Sequence, residues 1–375
     1  MRKSDARKAA EKIFECLDVR VDGDRPWDIR VLNPGFYDRI LSGASLALGE
    51  SYMDGWWKCE ALDQLFDRIM SARLDKTVRN DKCLLWAVLK AKISNAQSRS
   101  KAYMIGKRHY DIGNPLFSVM LDRRMNYSCG YWDKAGTLDE AQEAKMDMIC
   151  RKMMLKPGMS VLDIGCGWGG LAGWAAEKYD VRVLGITVSK EQVKFARQYC
   201  RGLDVRIEFM DYRDIKEQFD RVVSVGMIEH VGYRNYGTYM EVVSNCLKED
   251  GLFLLHTIAG NSSVRSTDPW IEKYIFPNSM LPSARQICSA AEGQLVMEDW
   301  HSFGQYYDPT LMAWHKNFID NWDKIGDMYD ERFYRMWTYY LLSCAGSFRA
   351  RRIQLWQVVF SKNGVRGGYE YKGKY

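Results

Sequence analysis

The chain has 375 residues, 47% of them hydrophobic, which is enough for one large buried core plus a smaller one and excludes a disordered polypeptide. Its ten cysteines form no C-x-x-C pair and no His cluster stands at metal-ligand spacing, so neither a zinc site nor a disulfide framework is indicated. A formal charge of +6 is modest: it fits a merely solvated surface first, and otherwise an anionic partner, a phospholipid surface or a nucleic acid, without choosing between them.

No window reaches the roughly 20 apolar residues of a membrane span, and Met1-Arg-Lys-Ser-Asp-Ala-Arg-Lys lacks an apolar signal core, so a cytoplasmic protein is expected. Over 6–19, Ala10, Ile13, Phe14 and Leu17 fall at helical spacing among basic residues. That pattern fits a helix packed on its own domain, with a helix lying on a membrane surface as the alternative. A strand into a turn at 29–35 and a helix at 36–46 follow. In Leu48-Gly-Glu-Ser-Tyr-Met-Asp-Gly-Trp-Trp-Lys, Trp56 and Trp57 read as core, or alternatively as lipid anchors. A first domain over 1–88, mainly helical and in contact with lipid, is expected to close with a helix at 62–74. Residues 89–100 read as a linker, and Lys90, Lys92, Arg99, Lys101, Lys107 and Arg108 around it would face anionic head groups or solvent.

The second domain, 101–375, opens with a helix at 140–153 and then alternates. Strands at 161–164, 181–186, 205–209, 221–225 and 252–256 with helices between them predict an α/β fold with a doubly wound parallel sheet. Ligands of such sheets lie beyond the carboxyl ends of the strands. A lid insertion is expected at about 261–347, containing a helix at 334–347. A last strand at 355–360 would close the sheet beside a hairpin partner at 296–303, leaving a mobile tail at 364–375.

Ser160-Val-Leu-Asp-Ile-Gly-Cys-Gly-Trp-Gly-Gly places glycines between a strand and a helix N-terminus, where backbone can approach a ligand closely. Its D-x-G-x-G-x-G spacing resembles the class I S-adenosylmethionine (SAM) methyltransferases rather than a pyrophosphate loop. The resemblance implies their Rossmann-like fold, with a small N-terminal domain added here. It also implies SAM contacts from Gly165, Cys166, Gly167, Trp168 and Gly169, with Asp163 supporting the loop and Tyr127 and Ser128 nearby. Thr187 and Gln192, with Glu191 as a lesser contributor, would take the ribose hydroxyls in place of the usual acidic residue. Tyr212 and Arg213 would bracket adenine.

With Tyr127-Ser-Cys129, Gly226-Met-Ile-Glu229-His230, Leu254-Leu-His256-Thr-Ile258 and Phe303-Gly-Gln-Tyr-Tyr307-Asp, the chain resembles the cyclopropane-fatty-acyl-phospholipid synthases from about residue 29 to 360. The resemblance implies addition of a methylene from SAM across a cis double bond of a phospholipid acyl chain. The base would be a bicarbonate held by Cys129, Glu229, His256, Tyr307 and the backbone of Ile258. Each of these also has a plain reading: a buried small hydrophobe, a helix cap, a core histidine or a packing residue. Cys344 matches a cysteine associated with the family's site; no step needs a thiolate, so a pocket-lining role is expected. The family further implies a homodimer that visits the inner face of the cytoplasmic membrane transiently. No metal is required, and the motifs of base-flipping nucleic-acid enzymes are absent. Two rivals remain: a SAM-dependent C-methyltransferase that leaves a methyl branch, and a lipid-surface binding protein with a degenerate transferase domain.

Overall fold

The computed structural model describes residues 3–72, 113–371 and 373. The expected linker and its basic residues lie outside them. Along the chain come α1 (Lys3–Glu15), β1 (Arg30–Val31), α2 (Phe36–Met53), β2 (Trp57–Lys58), α3 (Leu62–Ser71), α4 (Asn114–Met120) and α5 (Leu138–Lys152). There follow β3 (Ser160–Ile164), α6 (Gly170–Tyr179), β4 (Arg182–Thr187), α7 (Lys190–Tyr199), β5 (Val205–Phe209), β6 (Phe219–Val225), α8 (Tyr236–Cys246) and β7 (Leu247–Gly260). The chain continues through α9 (Pro269–Tyr274), α10 (Ala284–Ala291), β8 (Val296–Ser302), α11 (Tyr307–Asp320), α12 (Glu331–Arg349) and β9 (Ile353–Ser361). Contacts divide it into two units. The first draws its described residues from Met1–Gly113, Thr267–Asn278 and Trp314–Arg352, and the second from Asn114–Ser266, Ser279–Ala313 and Ile353–Tyr375. The stretch expected as one lid insertion, 261–347, is thus shared between the two.

In the first unit the apolar stripe of α1 is core: Ala6, Ala10, Phe14 and Leu17 are buried, and Phe14 stacks on Phe36 with ring centroids 6.1 Å apart. The packed-helix reading therefore fits α1, with Ile13 of the stripe half-buried. Trp57 is buried too, its indole N–H donating to Leu48 O and Ser51 Oγ, while the half-buried Trp56 lies under the Arg39 guanidinium at 4.6 Å. A Cβ on Gly346 of α12 would stand 2.4 Å from Asp63 O, so glycine is what allows α12 to lie this close to α3.

The second unit holds the expected α/β architecture. Seven strands run in the order β5-β4-β3-β6-β7-β9-β8; those from β5 to β7 are parallel, and β9 is antiparallel to both β7 and β8. Strands covered on both faces read as continuous apolar runs, which is how Val161-Leu162 and Leu252-Phe-Leu-Leu255 stand. β8 and β9 are neighbours, as expected, but residues 303–352 separate them, so they are not a hairpin. β7 is longer than its sequence suggests. Its pairing with β6 ends at Val225↔His256, and it continues beside β9 alone to Gly260↔Ile353. The tail expected to be mobile is tied down through Tyr371: Val365 N–H donates to Glu298 Oε1 at 2.8 Å, Tyr369 Oη–H to Lys152 O at 2.9 Å, and Tyr371 faces Lys152 Nζ. Among the described residues no helix is long and apolar enough to cross a membrane.

Candidate active site

The glycine loop leaves β3 with Gly165, Gly167 and Gly169 at φ of 83°, 55° and 88°, left-handed values that strain any residue with a Cβ. A Cβ on Gly170 would stand 2.3 Å from Arg124 O. This tight turn opens a cavity of about 490 Å³ at the carboxyl ends of the parallel strands. Tyr127, Ser128, Asp163, Gly165, Cys166, Gly167 and Trp168 line one part of it, and Thr187, Gln192, Tyr212 and Arg213 another. Of the residues expected around SAM, Gly169 and Glu191 are not on the wall: Gly169 caps α6, its left-handed backbone turning the chain, and Glu191 is exposed in the first turn of α7.

The cavity's polar groups are held in place. Thr187 Oγ1 donates to Gln192 Oε1 at 2.7 Å, leaving the Gln192 amide N–H groups for another acceptor. Arg213 is bound to Asp211 at 2.6 and 2.8 Å, and the Trp168 indole donates to Asn114 Oδ1 at 2.9 Å. Burial pushes the Asp163 carboxyl up to about 7 against the pull of Lys145. Its Oδ2 has no hydrogen-bond partner among the described residues. Lys145 is itself buried, donates to Ser128 Oγ at 2.9 Å and Asn126 Oδ1 at 3.3 Å, and is pushed down to about 8 by burial. Lys145, on the wall, is not among the residues that the sequence picked out. The signal for Lys145 was a lysine on the apolar stripe of α5, in step with buried Ala141, Ile149 and Lys152. With hydroxyl, amide, ammonium and carboxylate groups at separate places, the wall suits a ligand such as SAM, which is charged at one end and a nucleoside at the other.

The residues expected at the base are placed by strand ends and by the turns after them. Glu229 sits in the 3-10 turn after β6, buried, and its Oε1 accepts the Ile258 N–H at 2.7 Å. Burial pushes its carboxyl up to about 7. The Ile258 amide, expected to hold the base, is thus engaged by Glu229. His256 lies two residues before Ile258, on the same face of β7. The Gln357 amide on β9 meets its Nδ1 at 3.1 Å, across the register pair His256↔Gln357. Burial keeps His256 neutral, with the charges of Lys145 and Lys152 pushing the same way. Glu229 Oε2 and His256 Nε2 are buried without a partner among the described residues, and neither residue is on the cavity wall.

Cys129 is fully buried, its thiol 3.2 Å from Gly130 O and 3.8 Å from Thr310 Oγ1. Thr310 accepts from Gly130 N–H and the Trp132 indole and donates to Tyr306 O. It thereby ties the Cys129 segment to the first turn of α11, which starts at the buried Tyr307. The Phe303 ring stands 5.8 Å from His256 and 5.6 Å from Tyr131, joining these two groups of residues. Cys344 is in the first unit, on α12, with its thiol pushed up to about 12 by burial, so it is a thiol at neutral pH. Gln357 and Thr310 were not anticipated; a glutamine inside the apolar run Leu355-Trp-Gln-Val-Val-Phe was the available signal for the first.

Residues 97–358 match the family model described as mycolic acid cyclopropane synthetase. The chain is 54% identical over 361 residues, 96% of its length and 94% of the relative's, to the cyclopropane-fatty-acyl-phospholipid synthase of Escherichia coli K12. Its structure is similar to the cyclopropane synthase MmaA2 from Mycobacterium tuberculosis, with TM-score 0.64 and 30% identity over 68% of this chain and 97% of that one. It is also similar to the mycolic acid cyclopropane synthase CmaA1 complexed with SAH and CTAB, with TM-score 0.63 and 32% identity over 68% of this chain and 97% of that one. The glycine loop, the cavity beside it and these likenesses agree that the chain belongs to the mycolic acid cyclopropane synthetase family.

Proposed function

We propose that this protein is a cyclopropane-fatty-acyl-phospholipid synthase, adding a methylene from SAM across the cis double bond of an unsaturated phospholipid acyl chain, with bicarbonate as base. The observation that carries this reading is the near full-length likeness to the E. coli phospholipid-acting enzyme. That likeness covers 96% of the chain, whereas the mycobacterial structures cover 68% of it. When bound, SAM supplies an electrophilic methyl group and bicarbonate a proton acceptor.

A π bond is a weak nucleophile, so the residues here act mainly by alignment, which can lower a barrier by roughly 7 kcal/mol. The glycine loop, Thr187 and Gln192 hold the cofactor. With Gln357 donating to Nδ1, neutral His256 carries its proton on Nε2 and offers it to an anion. The positive field of Lys145 and Lys152 that disfavours a charged His256 favours an anion at the same place. Glu229 Oε2 can accept a hydroxyl proton from that anion, and the Tyr307 hydroxyl can donate a second bond. Cys129, fully buried with its pKa raised, remains a thiol.

The same reading makes unsaturated phospholipids in a bilayer the substrate, reached by transient contact with the inner face of the cytoplasmic membrane, and makes the working protein a homodimer. Mass spectrometry and NMR of the fatty acids, after mixing the protein with SAM, bicarbonate and vesicles of a cis-monounsaturated phospholipid, test the activity. An acyl chain one methylene heavier, with cyclopropane protons and no olefinic protons, is expected. A heavier chain that carries a methyl branch would replace the reading with a C-methyltransferase, and no product would overturn it.

A further inference from the structure

One group on the cavity wall has no task in the chemistry above except through its field: the ammonium of Lys145. Its side chain is 1% exposed, on the buried face of α5. Two of its three N–H donors are engaged, by Ser128 Oγ and Asn126 Oδ1, and both acceptors are neutral oxygens. Asn126 is fixed in turn by two hydrogen bonds to Asp122, through its backbone N–H and its side-chain amide. Neither acceptor carries a charge; the Asp122 and Asp163 carboxylates favour the ammonium from nearby, and its third donor is left for a ligand.

The place of Lys145, on α5 beside β3, indicates which part of a ligand it meets. Asp163, whose charge it feels, is on β3. The other strong cation of the wall, Arg213, follows β5, and its guanidinium is bound to Asp211. With β4 between β3 and β5 and neighbouring strands about 4.8 Å apart, these two ends of the cavity are roughly 10 Å apart. SAM has matching ends: a nucleoside, and an amino acid whose carboxylate needs a positive partner. Tyr212, beside Arg213, offers the nucleoside a ring, which leaves the amino-acid end for β3.

We propose that Lys145, steadied by Ser128 and Asn126, is the cationic partner of the methionyl carboxylate of SAM and so sets which way round the cofactor lies. This rests on SAM occupying the cavity, but not on the identity of the acyl substrate or of the base. A lysine that merely ties Ser128 to Asn126 would support every ligand of the cavity alike. A carboxylate partner discriminates between ligands.

Titration calorimetry with SAM and with decarboxylated SAM, which keeps the sulfonium, amine and nucleoside, separates the two. For the wild-type protein, decarboxylated SAM is expected to bind about 30-fold or more weakly, because it lacks the carboxylate that pairs with Lys145. In Lys145→Met, SAM should fall to about the affinity of decarboxylated SAM, whose own binding changes less than about threefold. Equal wild-type affinity for the two compounds, or an equal loss of both in Lys145→Met, would overturn the proposal. The wild-type comparison decides even where the variant does not fold. Because both titrations read binding, a failure of ring formation, which would count against the proposed activity, leaves them unaffected.

Discussion

At His256 the Gln357 amide takes up Nδ1 at 3.1 Å and leaves Nε2 as the ring nitrogen without a partner among the described residues. Gln357→Leu removes that bond without adding charge and leaves Nδ1 buried and unsatisfied, a penalty of about 1–3 kcal/mol. Turnover should fall about tenfold or more, and 15N NMR of the His256 ring should show mixed tautomers in place of one. An unchanged tautomer and rate would remove Gln357 from the mechanism. In the proposed reaction, Glu229→Gln and His256→Ala touch the base and not the cofactor. Each should keep SAM affinity by calorimetry and lose about 10²–10⁴-fold in turnover, the usual range for proton-transfer groups. The types of these residues were legible in the sequence. Their engagements were not: the bond between Glu229 and the Ile258 amide spans 29 positions, and that between Gln357 and His256 spans 101.

At the scale of elements, the join between β3 and α6 concentrates the most demanding backbone. Gly165 has a left-handed φ of 83°, and a Cβ there would stand 3.1 Å from Met227, so Gly165→Val should abolish SAM binding in the same titration. Gly170→Ala makes a different test, because the residue opens α6 without a positive φ and the conflict is purely one of space, 2.3 Å from Arg124 O. A loss of about 1–3 kcal/mol by denaturant unfolding is expected, the range for overpacking. An alanine variant as stable as wild type would mean that the Arg124 segment can move aside. α5 begins more conventionally: Thr137 and Glu140 form a reciprocal capping box, a signature visible as T-x-x-E in the sequence.

For the whole molecule, the buried ionisable groups make stability depend on pH in a way that can be signed. The Glu229 carboxyl, ordinarily at 4.5, is raised to about 7 when folded. The folded protein therefore keeps a proton that the unfolded chain releases, and this contribution is full below about pH 4.5 and lost as pH rises through 7. Lys145 and Lys152, lowered from 10.5 to about 8, act the other way: their contribution is full above 10.5 and lost as pH falls through 8. Near-neutral pH is thus where the ligand-free protein bears both costs. Denaturant unfolding from pH 4.5 to 8 should show Glu229→Gln losing less stability with rising pH than wild type, by an amount on the order of 3 kcal/mol. Parallel curves for the two would show that Glu229 titrates normally.

By itself the sequence determined the local features: the glycine loop, whose left-handed turns only glycine adopts easily, and the alternation of strand and helix. It also determined the buried stripe of α1, because periodicity sorts one face of a short element from the other. Tertiary structure alone decided what depends on register between distant strands. An antiparallel β9 beside the overhanging end of β7 sets Gln357 opposite His256, and Thr310 on α11 closes over Cys129. The mixed sheet edge, the sharing of 261–347 between two units and the docking of the tail on α5 are of the same kind. Each rests on which surfaces are buried against which, and burial also gives Glu229, Asp163 and Lys145 their unusual proton affinities.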